Sequence, residues 1–200
     1  MERTIPKKPK ILGLDISVTA TGVAVIHGRK LTSKTTKMIS LGALGTKPDI
    51  VGRALRLWKK ITEFAGDGIT ITCIEEPIIA RQSLQSSRRL IELNYYVAAK
   101  LYESGIPFLY ITTNQLKQVA TGYGASEKEE IVASLRMEFP KLRVANDAEG
   151  DALSAAILGL TATRVKTKRD DIVVGNQAMT EIREKVVGNV LRGKNRVFMW

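Results

Sequence analysis

The chain has 200 residues, 44% hydrophobic and 26% charged, enough for one domain with a sizeable core and typical of a globular protein. A single cysteine, Cys73, and a single histidine, His27, exclude an internal disulfide and a zinc site of the Cys/His type, and no apolar run approaches the roughly 18 residues a membrane span needs. The net charge of +11 is uneven, with four Lys/Arg against one Glu in residues 1–10 and nine against four in residues 161–200, the pattern of a polyanion-binding protein with a nearly balanced middle.

Residues 1–10 carry Pro6 and Pro9 among lysines and read as a flexible basic arm, too polar for a secretory signal. With the lone cysteine, this leads to an expected cytoplasmic setting and no membrane partner. Residues 10–16 and 22–28 are two apolar runs joined by a Ser/Thr-rich turn, predicted as neighbouring strands, and residues 37–41 as a third that completes a meander. Residues 49–64 show helical periodicity behind Asp49 as N-cap. The β-branched run 69–75 predicts a fourth strand that Pro77 forbids to continue. A long helix over 83–103, a fifth strand over 107–111 and a short helix over 113–120 follow. A helix over 126–139 opens on a capping-box pattern at Ser126 and Glu129, and 146–161 closes the core. Beyond Thr161 lie a charged link, an amphipathic pattern over 178–191 and a basic tail ending in aromatics. Three strands, a helix, strand–helix units and a closing helix describe an α/β layer fold with a mixed sheet. The organisation is an arm over 1–10, a core domain over 11–161 and a basic extension over 162–200.

Four carboxylates fall where a site at a sheet edge wants them. Asp15 ends the first strand and Glu75 the fourth; Asp147 and Asp151 share one face of the closing helix, about 40° apart. An ionised Asp15 left unpaired beside apolar strands costs several kcal/mol, on the order of other buried ions, so a cation is one compensation and a local turn or cap is the other. Asn146 as N-cap and the helix dipole account for Asp147 and Glu149 without chemistry, but not for Asp151. Gly150, costing about 1 kcal/mol inside a helix, suggests a close approach by the sheet or a phosphate. With no Cys/His set, a metal must be held by oxygen, hence magnesium or manganese. Paired divalent ions roughly 3.5–4 Å apart suit an in-line phosphodiester displacement.

The segments Ile11-Leu12-Gly13-Leu14-Asp15 with Thr21-Gly22, Ile74-Glu75, Gln115-Leu116-Lys117-Gln118, Gly122-Tyr123-Gly124-Ala125-Ser126-Glu127-Lys128 and Asp151-Ala152-Leu153 resemble, in order and spacing, the RuvC family of Holliday-junction resolvases. The resemblance covers about residues 10–160. It implies a ribonuclease H-like fold with a central five-stranded mixed sheet flanked by helices. It also implies a Mg2+-dependent endodeoxyribonuclease (Mn2+ substituting) that nicks four-way DNA junctions symmetrically as a homodimer, with no small-molecule cofactor. On that reading Asp15 bridges the metals, Glu75 and Asp151 are further ligands, and Lys117 and Lys128 hold the scissile phosphate. Arg81 and Arg88 are expected on the DNA. The family's acid or histidine three residues before the last aspartate is Ala148 here, and Asp147 substitutes for it. Its aromatic wedge is replaced by aliphatic Ile78 or Ile79, and its Pro-Gly after the first aspartate by Ile16-Ser17. These departures suggest a divergent branch of phage type acting in a prokaryotic or virus-infected cytoplasm. Alternatives are a nuclease for forks, flaps or RNA–DNA hybrids, a non-catalytic nucleic-acid-binding module, in which the lysines are solvated surface groups, and a sugar-kinase-like ATPase, for which the chain is short.

Overall fold

Apolar runs buried on both faces make β1 (Lys10–Asp15) and β2 (Ala20–His27), which form an antiparallel meander with β3 (Thr36–Gly42). On its other side β1 pairs in parallel with β4 (Ile71–Glu75), and β4 with β5 (Phe108–Ile111), giving the mixed five-stranded order β3-β2-β1-β4-β5. A two-residue strand, β6 (Val197–Phe198), adds antiparallel to the outer edge of β5. The computed structural model describes residues 5–44, 49–78, 84–193 and 197–198.

Side chains alternate across the sheet, so each face has its own core. Leu12, Leu14 and Ile74 point toward α1 (Ile50–Ala65) and α2 (Leu84–Glu103), where they meet Leu57, Ile61, Leu93 and Val97. Ile11, Ile71 and Cys73 point the other way, into a larger cluster. That cluster is made with α3 (Thr113–Thr121), α4 (Lys128–Glu138), α5 (Asp147–Thr167) and α6 (Gln177–Arg192). No helix among the described residues is long and apolar enough to cross a membrane.

α5 is the central helix. It is buried nearly all round, more than the single apolar stripe expected from Leu153, Ala156, Ile157 and Leu160. Its buried hydroxyls satisfy themselves within the helix: Ser154, Thr161 and Thr163 donate to the carbonyls of Gly150, Ile157 and Gly159 at 2.8–2.9 Å. The approach to the sheet is close because glycine faces it. A Cβ on Gly22 would fall 1.8 Å from the Ala148 carbonyl oxygen, and one on Gly13 2.1 Å from that of Ala152. Gly150, expected to admit the sheet or a phosphate, instead faces Val132 and Ile131 of α4.

Two helix boundaries and the extent of the core shift from the expectations. α4 starts at Lys128, capped by Glu127 with Glu130 in the reciprocal position, one residue beyond the Ser126–Glu129 pair. The Ser126 hydroxyl instead bonds the Tyr123 carbonyl and the Thr121 hydroxyl, closing the preceding loop. The helix expected to close at Thr161 runs to Thr167, because Ala162 and Thr163 are also buried. It is not the last helix of the core either, since α6 places Val186, Val187 and Val190 there. α6 is anchored by Arg183, fully buried, which donates through Nε to the Val119 carbonyl at 2.8 Å and pairs with Glu138 at 2.6 Å.

Candidate functional site

Asp15 and Glu75 become neighbours through register. β1 and β4 run in parallel with Leu14 beside Ile74, so the next residue of each strand lies at the same sheet edge, on the face that Gly13 and Cys73 occupy and α5 covers. Glycine contacts seat the first turns of α5 directly over this edge, which brings in Asp151. One carboxylate oxygen from each of Asp15, Glu75 and Asp151 lies within 4.8 Å of the others, and all three side chains are half-buried.

The cluster is electrostatically crowded. Burial first, then the negative charges of Glu75 and Asp151, push Asp15 up to about 8. Burial and Glu75 push Asp151 up to about 7, with Lys128 and Lys117 pulling the other way. An all-oxygen set whose members repel one another to that degree fits a hard divalent cation, which replaces the shared protons and offsets the repulsion. Thr113, at the start of α3, donates its hydroxyl to Glu75 Oε1 at 2.6 Å and fixes that carboxylate's orientation.

The three carboxylates stand in a cleft of about 780 Å³. Asp147 also lines it, one turn before Asp151, exposed and outside the group of three, though its charge still acts on Asp151. Lys117 from α3 and Lys128 from the first turn of α4 line the same cleft, and both act on Asp151. Lys117 is half-buried and Lys128 exposed. The cleft lining continues over the β1–β2 turn, Ser17 to Thr19, the first residue of β2, Ala20, and Ser86, Ser87 and Leu90 of α2. Arg88 does not line it; its side chain is exposed and pairs with Glu92 one turn on at 2.9 Å. Arg81 and Ile79 lie outside the described residues. Ile78 is 62% exposed at the rim.

Sequence reasoning missed Thr113 and the hydroxyls of Ser17, Thr19 and Ser40 in the cleft wall. The Ser/Thr turn was visible only as a turn. The one signal for Thr113 was a Thr-Thr pair between a strand and a helix, of which Thr112 is the N-cap with Gln115 completing its capping box.

Comparison with known proteins gives a consistent picture. The family described as "Crossover junction endodeoxyribonuclease RuvC" matches residues 11–159. The protein of that description from Acinetobacter baumannii is 29% identical over 156 residues, covering 74% of this chain and 81% of the relative. That from Alkalilimnicola ehrlichii is 23% identical over 156 residues, covering 76% and 91%. Among solved structures, Thermus thermophilus RuvC in complex with Holliday junction substrate aligns at a TM-score of 0.60 with 19% identity, covering 80% of this chain and 96% of that one. The yeast mitochondrial Holliday junction resolvase aligns at 0.51 with 10% identity, covering 96% and 86%. These structural likenesses show the ribonuclease H-like fold.

Proposed function

The chain belongs to the RuvC family of crossover junction endodeoxyribonucleases, and from that premise we propose that it is a divalent-metal-dependent Holliday-junction resolvase whose catalytic centre is the cleft of Asp15, Glu75 and Asp151. The observation that carries this reading is the convergence of three carboxylate oxygens within 4.8 Å at the edge of the sheet. Four-way DNA is the substrate and Mg2+ the resident ion, because the site offers oxygen alone and few carboxylates, leaving room for water and phosphate in the coordination sphere. Held there, divalent ions supply the charge neutralisation and water activation of phosphodiester hydrolysis.

The chain's own residues do the rest. Asp15, on which both other acids act, would hold a divalent ion together with Glu75 and Asp151, and Thr113 holds Glu75 in its orientation. Asp147 acts from the cleft wall on whatever binds Asp151. Lys117 and Lys128, which share the cleft with the acids, grip the scissile phosphate, keeping it against the carboxylates and balancing its charge. The Ser17 and Thr19 hydroxyls offer neutral contacts to the neighbouring backbone. A homodimer presents two such clefts to one junction. Its support is a stripe along α2 in which Leu84, Tyr95 and Tyr102 are 63–70% exposed on one helical face, more apolar surface than a solvated helix needs. A cytoplasmic setting belongs to the same reading.

The test uses a labelled synthetic four-way junction, a matched fork and a linear duplex, with Mg2+ or a chelator, for the wild type and Asp15→Asn. Symmetric, Mg2+-dependent nicks in the junction alone are expected, lost by at least about 10³-fold in the variant, whose DNA binding is kept or tightened. Equal cutting of the fork replaces the resolvase with a broader structure-selective nuclease. Binding without cutting overturns the catalytic reading.

A further inference from the structure

Most of the net charge lies far from the cleft. Residues 7–10, 29–37 and 164–171 hold eleven Lys/Arg against two Asp, nine of the chain's net eleven positive charges. Strand direction gathers them at one pole. β1 begins and β2 ends there, and α5 runs 21 residues from Asp147 at the cleft to Thr167, about 30 Å.

The segments are fastened into one surface. Arg29 donates through Nε to the Lys7 carbonyl at 2.7 Å and pairs with Asp171. Arg169 donates to the Pro6 carbonyl at 3.2 Å, and the amides of Gly28 and Val173 bond the carbonyls of Pro9 and Arg29 at 2.8 Å. The β2–β3 connection is pinned by Thr35, whose hydroxyl meets that of Thr32 at 2.9 Å and donates to the Lys30 carbonyl at 2.6 Å. Both acids are occupied by arginine, Asp171 by Arg29 and Asp170 by Arg164 at 2.8 Å. Lys7, Lys8, Lys30, Lys34, Lys37 and Lys168 are exposed, and none makes an ion pair among the described residues. Two of the three segments lie outside residues 11–159, so the part of the chain that matches the family does not account for the surface.

Arginine here is spent on internal bonds, and lysine faces outward. Compact, hydrated ammonium groups suit a phosphate backbone read without sequence. We propose that this pole is a second DNA-binding surface, which grips the backbone of a duplex other than the one being cut. The proposal rests on the reading that the cleft takes DNA; at about 30 Å from it, the pole lies beyond the width of a single bound helix.

The test is full-length K7Q/K8Q/K30Q/K34Q beside the wild type. Each protein is bound to an immobilised short-armed junction in chelator and offered a fluorescent linear duplex; duplex affinity is also followed against salt, and junction cleavage in Mg2+. The variant is expected to capture at least tenfold less second duplex. The slope of log affinity against log salt should be shallower by about 3–4, at about 0.9 for each phosphate no longer neutralised, while saturating cleavage stays at the wild-type rate. Equal capture and an equal slope overturn the proposal, as does wild-type capture of anionic vesicles or single strands without capture of duplex. Normal cleavage with unchanged capture sinks this inference alone. Absent wild-type cleavage with a flattened duplex salt slope in the variant sinks the cleft reading and leaves the pole standing.

Discussion

At one end of α5, Asp151 is half-buried against Asp15 and Glu75, three like charges brought together by strand register and glycine-lined packing. At the other end, the lysines of the N-terminal segment and the β2–β3 connection share a sign as well, but stand apart in solvent. The first arrangement costs the fold and is relieved by a cation; the second costs little and becomes useful when a polyanion arrives. Between the two, the Arg183–Glu138 pair shows how this chain treats a charge it buries permanently, with an opposite partner and a backbone carbonyl. Among the described residues, this sheet edge is where three half-buried acids come together.

The sharpest contrast comes from the buried pair. Arg183→Met leaves Glu138 without its cation and is expected to cost about 3–5 kcal/mol, lowering the melting temperature by about 10 °C on the usual scaling for a chain of this size; thermal unfolding checks it. Gly22→Ala pushes a methyl group into the Ala148 backbone, so α5 must lift from β2. About 1–3 kcal/mol is expected to be lost, with cleavage falling further than stability because Asp151 moves with the helix. Single-turnover kinetics well below the melting temperature separate the two effects.

The crowded cleft also predicts a pH dependence. Asp15 and Asp151 keep their protons to about 8 and about 7 when folded, against 3.8 as the ordinary value. Between those limits the folded state binds more protons than the unfolded one, so stability of the metal-free protein falls as pH rises through that window. Melting in chelator should drop by several degrees between about pH 5 and pH 8, and Mg2+ should restore more at the upper end. Asp15→Asn should flatten the dependence; a flat profile for the wild type would mean that burial and mutual repulsion do not hold protons on these acids. The smallest effect belongs to the exposed pole: Lys30→Gln and Lys34→Gln together should leave stability within about 0.5 kcal/mol, read by the same melts.

Much of the fold was legible because the central strands are apolar runs closed by turn residues. The run Ile11 to Leu14, buried on both faces of the sheet, marks β1, and Asp49 caps α1 where the helical period begins. The three acids were legible as well, since a carboxylate closing an apolar strand is an anomaly in one dimension. α5 misled because burial on every side erases the amphipathic signal that marks a helix's end, so its last turn and the packing of α6 were invisible until Arg183 was seen inside. Gly150 misled for a related reason, since a helical glycine marks a close neighbour without saying which, and here the neighbour is α4. Arg88 stands exposed on α2 outside the cleft lining, paired with Glu92 one turn on.

The position of α6 and β6 bears on how the molecule is made. The strands and helices that build the cleft are complete once α5 has left the ribosome, yet α6, which seals the cluster beneath them, and β6, which covers the outer edge of β5, come later. At about 5–20 residues per second, β5 waits on the order of ten seconds for its last partner. During that interval the nascent chain carries an open strand edge and an unsealed apolar face, so its greatest exposure to aggregation falls during synthesis, before the enzyme is whole.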